Sequence, residues 1–353
     1  MESSPGPGSA AAPDSASARQ DGRTHDDARA RRLLASTLVW DNHGCMPLRP
    51  QDEEFLPQLE RYRAAGVDVA FLNVGFGEQG IEEHVRVLGH FRRWLTLHSD
   101  RYVLIRTTAD IQEARSSGRL GVAFDIEGAN AVADQSSLVQ LYYDLGVRWM
   151  LMAYNRNNRV GGGCHDDDGG LTAFGREVLN EMARVGMVAC CTHTGLRTTL
   201  EVMAYSSRPV IFSHSNPRAL HEHPRNIPDE AILACAATGG VVCLNGIGIF
   251  LGANDNSDEV FVRHVDYVVQ KVGPAHVGIG LDFVFDRQEM DDYLRSNTHT
   301  FPPGMGYDAG IRMVAPEQLP GIVDRLLRLG YAEEDVRAIL GGNLLRIAQA
   351  VWR

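Results

Sequence analysis

The chain has 353 residues, 44% of them hydrophobic, enough to bury a large core as one domain or two small ones. A formal net charge of −11, with no basic run, excludes nucleic acid as a default partner. No apolar stretch reaches the roughly eighteen residues of a membrane span. The six cysteines lack the loop-rich spacing of a disulfide scaffold, so reduced thiols in a cytoplasmic protein are expected.

Residues 1–27, rich in Ser, Ala, Gly and Pro, have no hydrophobic period and no apolar h-region, which predicts a disordered tail rather than a signal peptide. The remainder, 28–353, reads as one domain. A helix over 28–35 leads into a first strand at 37–41, which ends in Asn42-His43-Gly44-Cys45. A helix over 53–65 and an apolar run at 67–74 follow, then an amphipathic helix over 81–99 and a short extra strand at 102–105. Further strands are expected at 121–126, ending on Glu127, and at 147–153.

The next two apolar runs end alike, Val188-Ala189-Cys190-Cys191-Thr192-His193 and Val210-Ile211-Phe212-Ser213-His214, with one crossover helix's length between them. Parallel strands joined in this way put both histidines at the same sheet edge. A helix over 229–238 precedes a strand at 240–244, and a last strand at 277–281 ends on Asp282. Helices over 316–329 and 333–339 close the chain, with Gly341-Gly342-Asn343 opening its final turn.

Eight short apolar strands alternating with helices predict a (β/α)₈ TIM-like barrel. A doubly wound open sheet is the alternative, but no Gly-rich phosphate loop supports it. In a barrel the strands' carboxyl ends share one mouth, and there stand His43, Glu127, His193, His214 and Asp282. Three histidines and two carboxylates suit zinc or a similar divalent ion, and the implied chemistry is metal-assisted hydrolysis, most simply of an amide. Asp282, if not a ligand, would move protons.

Leu171-Thr172-Ala173-Phe174-Gly175, Thr192-His193, the run from Pro209 to Ser215, Arg225-Asn226, Gly280-Leu281-Asp282-Phe283 and Gly342-Asn343-Leu344-Leu345-Arg346 resemble the membrane dipeptidase (renal dipeptidase) family of zinc peptidases. The resemblance spans residues 39–347. It implies a TIM-like barrel, a homodimer and a binuclear zinc site that cleaves dipeptides. His43 would bind one metal, Glu127 would bridge two, and His193 and His214 would bind the second. Arg225 would hold the substrate carboxylate, a role suited to a planar, always charged fork, and Asp282 would transfer protons.

Three departures stand beside the matches. Where the family has His-Xaa-Asp, this chain has His43-Gly44-Cys45, so the expected carboxylate ligand is a thiol. Either Cys45 binds as a thiolate, giving a weaker Lewis acid, or it is a buried spectator and the site holds one ion. Tyr154, with Asn155 beside it, falls where the family often has a histidine that holds the substrate carbonyl, and a phenol can still donate there. Asn245-Gly246-Ile247-Gly248-Ile249 lacks a tyrosine that some relatives use on the carboxylate. A hydrolase of secondary metabolism acting on a non-standard amide, or a non-catalytic ligand-binding barrel, are the alternative functions.

Other segments carry weaker signals. Gly161-Gly162-Gly163-Cys164-His165-Asp166-Asp167-Asp168 reads as a flexible loop over the mouth, His221 and His223 as surface residues, and Cys190 and Cys191 as core.

Overall fold

The structure is a computed structural model that describes Met1 and residues 28–353, so the tail expected over 1–27 lies, Met1 apart, outside the described residues. Its strands are β1 (Trp40–Cys45), β2 (Val69–Phe76), β3 (Tyr102–Leu104), β4 (Leu120–Glu127), β5 (Val147–Leu151), β6 (Val188–Cys190), β7 (Val210–Ile211), β8 (Val242–Leu244), β9 (Val277–Ile279) and β10 (Phe283–Val284). Every strand pairing is parallel, in the order β10-β1-β2-β4-β5-β6-β7, with β8 and β9 as a second pair. A bridge from Phe212 to Val242 joins the two, and β9 and β10 are the ends of one strand interrupted at residues 280–282. With β10 returning to β1 at Gly44–Phe283, the sheet closes into the (β/α)₈ barrel, and β3 is an extra strand outside it.

Burial on both faces makes the strands continuous apolar runs. Trp40, Phe71, Trp149, Cys190, Ile211 and Cys243 fill the barrel, and a second, larger core lies between barrel and helices. The helix between β6 and β7, Leu196–Tyr205, is the expected crossover. Asn343 donates from Nδ2 to the carbonyls of Pro274 and Val277, at 2.7 and 2.8 Å, and pins the C-terminal helix beneath β9.

The first strand runs four residues past the expected end at Asp41, because Asn42 and His43 continue it into the barrel. A bulge makes this useful. Asp41 pairs with Ala70 but Gly44 with Leu72, so two residues oppose Phe71, and the alternation that points Trp40 inward is reset to point His43 and Cys45 inward. Gly44 permits the turn-in, since a Cβ there would come within 2.5 Å of the Tyr62 hydroxyl. β6 and β7 end at Cys190 and Ile211, shorter than expected, and past the end of β6 His193, at φ +61, has left the extended region. The helix expected over 53–65 is a 3₁₀ turn, Leu56–Leu59, followed by Glu60–Ala64. After β10 comes an unanticipated helix, Arg287–Ser296, and an irregular stretch, 297–315, that roofs the mouth.

Candidate metal centre

The imidazoles of His43, His193 and His214 turn their Nε2 atoms toward one carboxylate oxygen. Glu127 Oε1 lies 3.4, 3.4 and 3.1 Å from them, yet makes no aligned hydrogen bond. Each ring's other nitrogen faces an acceptor behind it. His43 Nδ1 is 3.2 Å from Asp125 Oδ2, His193 Nδ1 is 2.7 Å from Asn155 Oδ1, and His214 Nδ1 is 2.9 Å from Ser213 Oγ. Asp125 and Asn155 accept from Nδ1 of His43 and His193, and all three Nε2 atoms face one buried, orphaned oxygen, with those of His193 and His214 3.1 Å apart. Such a donor set fits a divalent cation: ligand atoms of His43, Glu127 and His214 lie within metal-binding reach of one another, and His193 adjoins them through Glu127 Oε1 and His214 Nε2.

Cys45 and Asp282 extend the cluster on the side of His43. Cys45 Sγ lies 3.4 Å from His43 Nε2 and 3.6 Å from Asp282 Oδ1, and Asp282 Oδ1 lies 3.6 Å from His43 Nε2. His43, Cys45 and Asp282 therefore form a second group with metal-ligand spacing, overlapping the first at His43. Asn73 donates from Nδ2 to Glu127 Oε2 at 3.1 Å, and Asn245 donates from Nδ2 to Asp282 Oδ2 at 2.9 Å.

Burial dominates the electrostatics. It raises the Glu127 carboxyl to about 8, with Asp282 and Asp125 adding to the rise against His43 and Arg225. It pushes the Cys45 thiol up to about 12, so a cation would have to displace a proton there. His193 and His214 are held well below the usual imidazole range by burial, helped by Arg225 and by the other histidines. His43 alone moves up: burial opposes its charge, but Asp125, Glu127 and Cys45 outweigh it.

A cavity of about 240 Å³ opens from this centre, and Cys45, Glu127, Tyr154, His193, Arg225 and Asp282 all line it. Arg225 is 3% exposed, and neither its Nε nor its Nη2 has a partner. Asn226 holds that turn by donating to the His221 and Phe250 carbonyls. Tyr154 stacks on His193 with ring centroids 4.1 Å apart. Asn155, expected beside the substrate, is fully buried behind His193, its Nδ2 donating to the Thr300 carbonyl at 3.3 Å.

The weaker segments resolve differently. The three glycines of 161–163 are close packing rather than flexibility: a Cβ would come within 2.4 Å of Thr198, 2.1 Å of Asp168 and 2.2 Å of Asn155 respectively. Asp168 caps the crossover helix by accepting from Thr198 N at 2.8 Å. His223, expected at the surface, is buried, accepting from Arg225 N and facing the Met305 carbonyl of the roof, both at 3.0 Å. Cys190 and Cys191 are core as expected, and all six cysteines are free. The partners that sequence reasoning passed over are Asn73, Asp125, Ser213 and Asn245. Asp125 left a trace as the inward residue two before Glu127 on β4, and Ser213 as the hydroxyl residue before His214.

The fold and this buried donor set place the chain among (β/α)₈ barrels of the metal-dependent hydrolase type. The profile of the membrane dipeptidase family (peptidase family M19) matches residues 27–296, and the chain belongs to that family. It is 30% identical over 260 residues to dipeptidase verJ of Clonostachys rogersoniana, covering 72% of this chain and 61% of that protein. It is 27% identical over 265 residues to dipeptidase tcpJ of Claviceps purpurea, covering 74% and 58%. The chain thus spans about three-fifths of the length of these relatives. Among solved structures, an amidohydrolase from Pseudomonas aeruginosa superposes with TM-score 0.83 at 30% identity, over 92% of this chain and 99% of that one. A Rhodobacter sphaeroides metallo peptidase liganded with a phosphinate mimic of L-Ala-D-Ala shares the fold, with TM-score 0.72 at 19% identity over 90% and 100%. Among the described residues, no helix is long and apolar enough to cross a membrane.

Proposed function

We propose that the chain hydrolyses a dipeptide, or a similar small amide with a free carboxylate, using zinc held by His43, Cys45, Glu127, His193 and His214. The observation that carries this reading is the convergence of three imidazole nitrogens on the orphaned Glu127 Oε1, in one cavity with an unpaired, buried guanidinium. Bound zinc would supply an acidified water and a polarised carbonyl.

The chain's own residues do the rest. Arg225 receives the substrate carboxylate through its unspent Nε and Nη2, a fork that matches two oxygens. Asp282, held by Asn245, takes the proton from the attacking water and passes it to the leaving amine. Tyr154, stacked on His193, presents its phenol to the carbonyl oxygen as charge develops there. Asn155 serves the ligand rather than the substrate, fixing the His193 tautomer. The family resemblance also supports a homodimer, which sedimentation would test.

The deciding experiment is metal content per chain for the wild type and Cys45→Asp, assayed in parallel against L,L- and L,D-dipeptides. Two zinc ions with turnover in the wild type support a binuclear peptidase with a thiolate ligand. One ion, rising to two with new activity in Cys45→Asp, supports a divergent enzyme acting on a non-standard amide. Zinc without turnover of any amide would overturn both.

A further inference from the structure

One wall of the cavity, starting at the metal centre, is aromatic, and its rings form a continuous arc. From His193 the arc passes to Tyr154, then to Phe76 with centroids 5.4 Å apart, to Tyr293 at 5.1 Å, to Phe301 at 6.0 Å, to Tyr307 at 5.1 Å and to Phe250 at 6.2 Å. Phe250 lies under the Arg225 guanidinium at 5.1 Å. The arc therefore spans the interval between a metal ligand and the carboxylate receiver, which any substrate of the proposed reaction must occupy. Met46, Met290, Leu294 and Ile311 fill the wall around it.

The acidic residues of this wall share one guanidinium, which also binds Asp52. Asp286 and Glu289 line the cavity, but Arg49 pairs with both, at 3.1 Å to Asp286 and in closer contact with Glu289. An apolar side chain seated along the arc would be desolvated by rings on several sides.

The roof that completes the arc is held in place before any ligand arrives. The carbonyls of Thr300, Met305 and Ile311 face Asn155, His223 and Arg287 at 3.3, 3.0 and 2.9 Å, and Tyr307 Oη lies 2.8 Å from His165 Nε2.

We propose that the substrate is an amide that carries, besides its free carboxylate, a bulky apolar or aromatic side chain seated under this arc. The proposal rests on the hydrolytic reading above for its amide and on the cavity alone for its side chain. A ligand the size of Ala-Ala would leave much of the cavity wall without contacts.

Two measurements on the full chain separate the two claims. The first compares kcat/KM of the zinc-loaded protein for Phe-Ala and Ala-Phe against Ala-Ala, Gln-Ala and Ala-Gln. The second compares calorimetric binding of 4-phenylbutyrate and butyrate, which needs no turnover. Burying a phenyl group is worth roughly ten- to a hundredfold in affinity, so one phenylalanine isomer should lead its glutamine counterpart by at least tenfold, and phenylbutyrate should lead butyrate similarly. Phe301→Ala should shrink both ratios about fivefold. Half-buried Met290 offers a second variant, Met290→Asn, should the first fail to fold. Equal binding of the two carboxylates, with glutamine dipeptides cleaved as well as phenylalanine ones, overturns the proposal and leaves the hydrolytic reading standing. Preferential phenylbutyrate binding without cleavage of any amide supports the apolar seat and overturns the hydrolysis. Equal binding without cleavage overturns both.

Discussion

Asn245 and Asp282 are joined by a 2.9 Å hydrogen bond from Nδ2 to Oδ2, and it leaves Oδ1 of the carboxylate facing the metal cluster. The backbone adds to this restraint. Asp282 sits at φ +58, and its N–H donates to the His43 carbonyl at 3.0 Å. A non-glycine residue in the left-handed region costs about 1–3 kcal/mol and persists only where its surroundings fix it.

Asn245→Ala should free this carboxylate to rotate. We expect kcat to fall about 10- to 100-fold, the scale of a small misplacement of a catalytic group, with KM and zinc content little changed. Steady-state kinetics with metal analysis on the same sample decide it. A rise in KM at constant kcat would place Asn245 in substrate binding instead.

Arg225 should matter only for substrates that end in a carboxylate. Hydrogen bonds to charged groups contribute about 1.5–3 kcal/mol each, so Arg225→Ala should lower kcat/KM for a dipeptide by about 100-fold or more. Its C-terminal amide should lose far less. Arg225→Lys keeps the charge but not the fork and should recover only part of the loss. Equal losses for the acid and the amide would remove Arg225 from carboxylate recognition.

The barrel and its mouth were legible because both depend on local patterns. Strands buried on two faces read as apolar runs, and the polar residues at their carboxyl ends follow those runs directly in sequence. His43, Glu127, His193, His214 and Asp282 were readable on that ground. What supports them was not. Asn245 reaches Asp282 across 37 positions, and Asn155 reaches His193 across 38, contacts that no periodicity encodes. The roof over 297–315 was silent for a related reason: it has little regular structure, and its aromatic residues acquire meaning only when the arc assembles them.

Metal removal should expose the buried Glu127 in the pH dependence of stability. Its carboxyl ordinarily ionises near 4.5 but stays protonated to about 8 in the metal-free fold, chiefly through burial. Between those values the folded state keeps a proton that the unfolded state has shed, so this contribution to stability shrinks as pH rises. His43, also raised, acts in the same direction, whereas His193 and His214 take stability away only as pH falls below the ordinary 6.5. A cation in place of the proton cancels the loss. From pH 6.5 to 8, the gap in Tm between zinc-loaded and metal-free protein should therefore widen. A gap independent of pH would sink the assignment of Glu127 as a ligand.

Two glycines of one loop should behave oppositely. Gly163 abuts the backbone of Asn155, where a Cβ would come within 2.2 Å of the carbonyl carbon and 2.4 Å of Arg156 N. Asn155 itself sits at φ +55 with its Oδ1 on the His193 ring, so displacing it turns a metal ligand. Gly163→Ala should cost about 1–3 kcal/mol of stability through overpacking. It should also weaken zinc about 10- to 100-fold, the usual price of disturbing a ligand's hydrogen-bond partner. Gly169 has nothing within 4 Å of its would-be Cβ, and Gly169→Ala should leave both unchanged. Chelator competition and thermal unfolding on the two variants test the pair. Normal zinc affinity in a folded Gly163→Ala would mean that Asn155 does not set the orientation of His193.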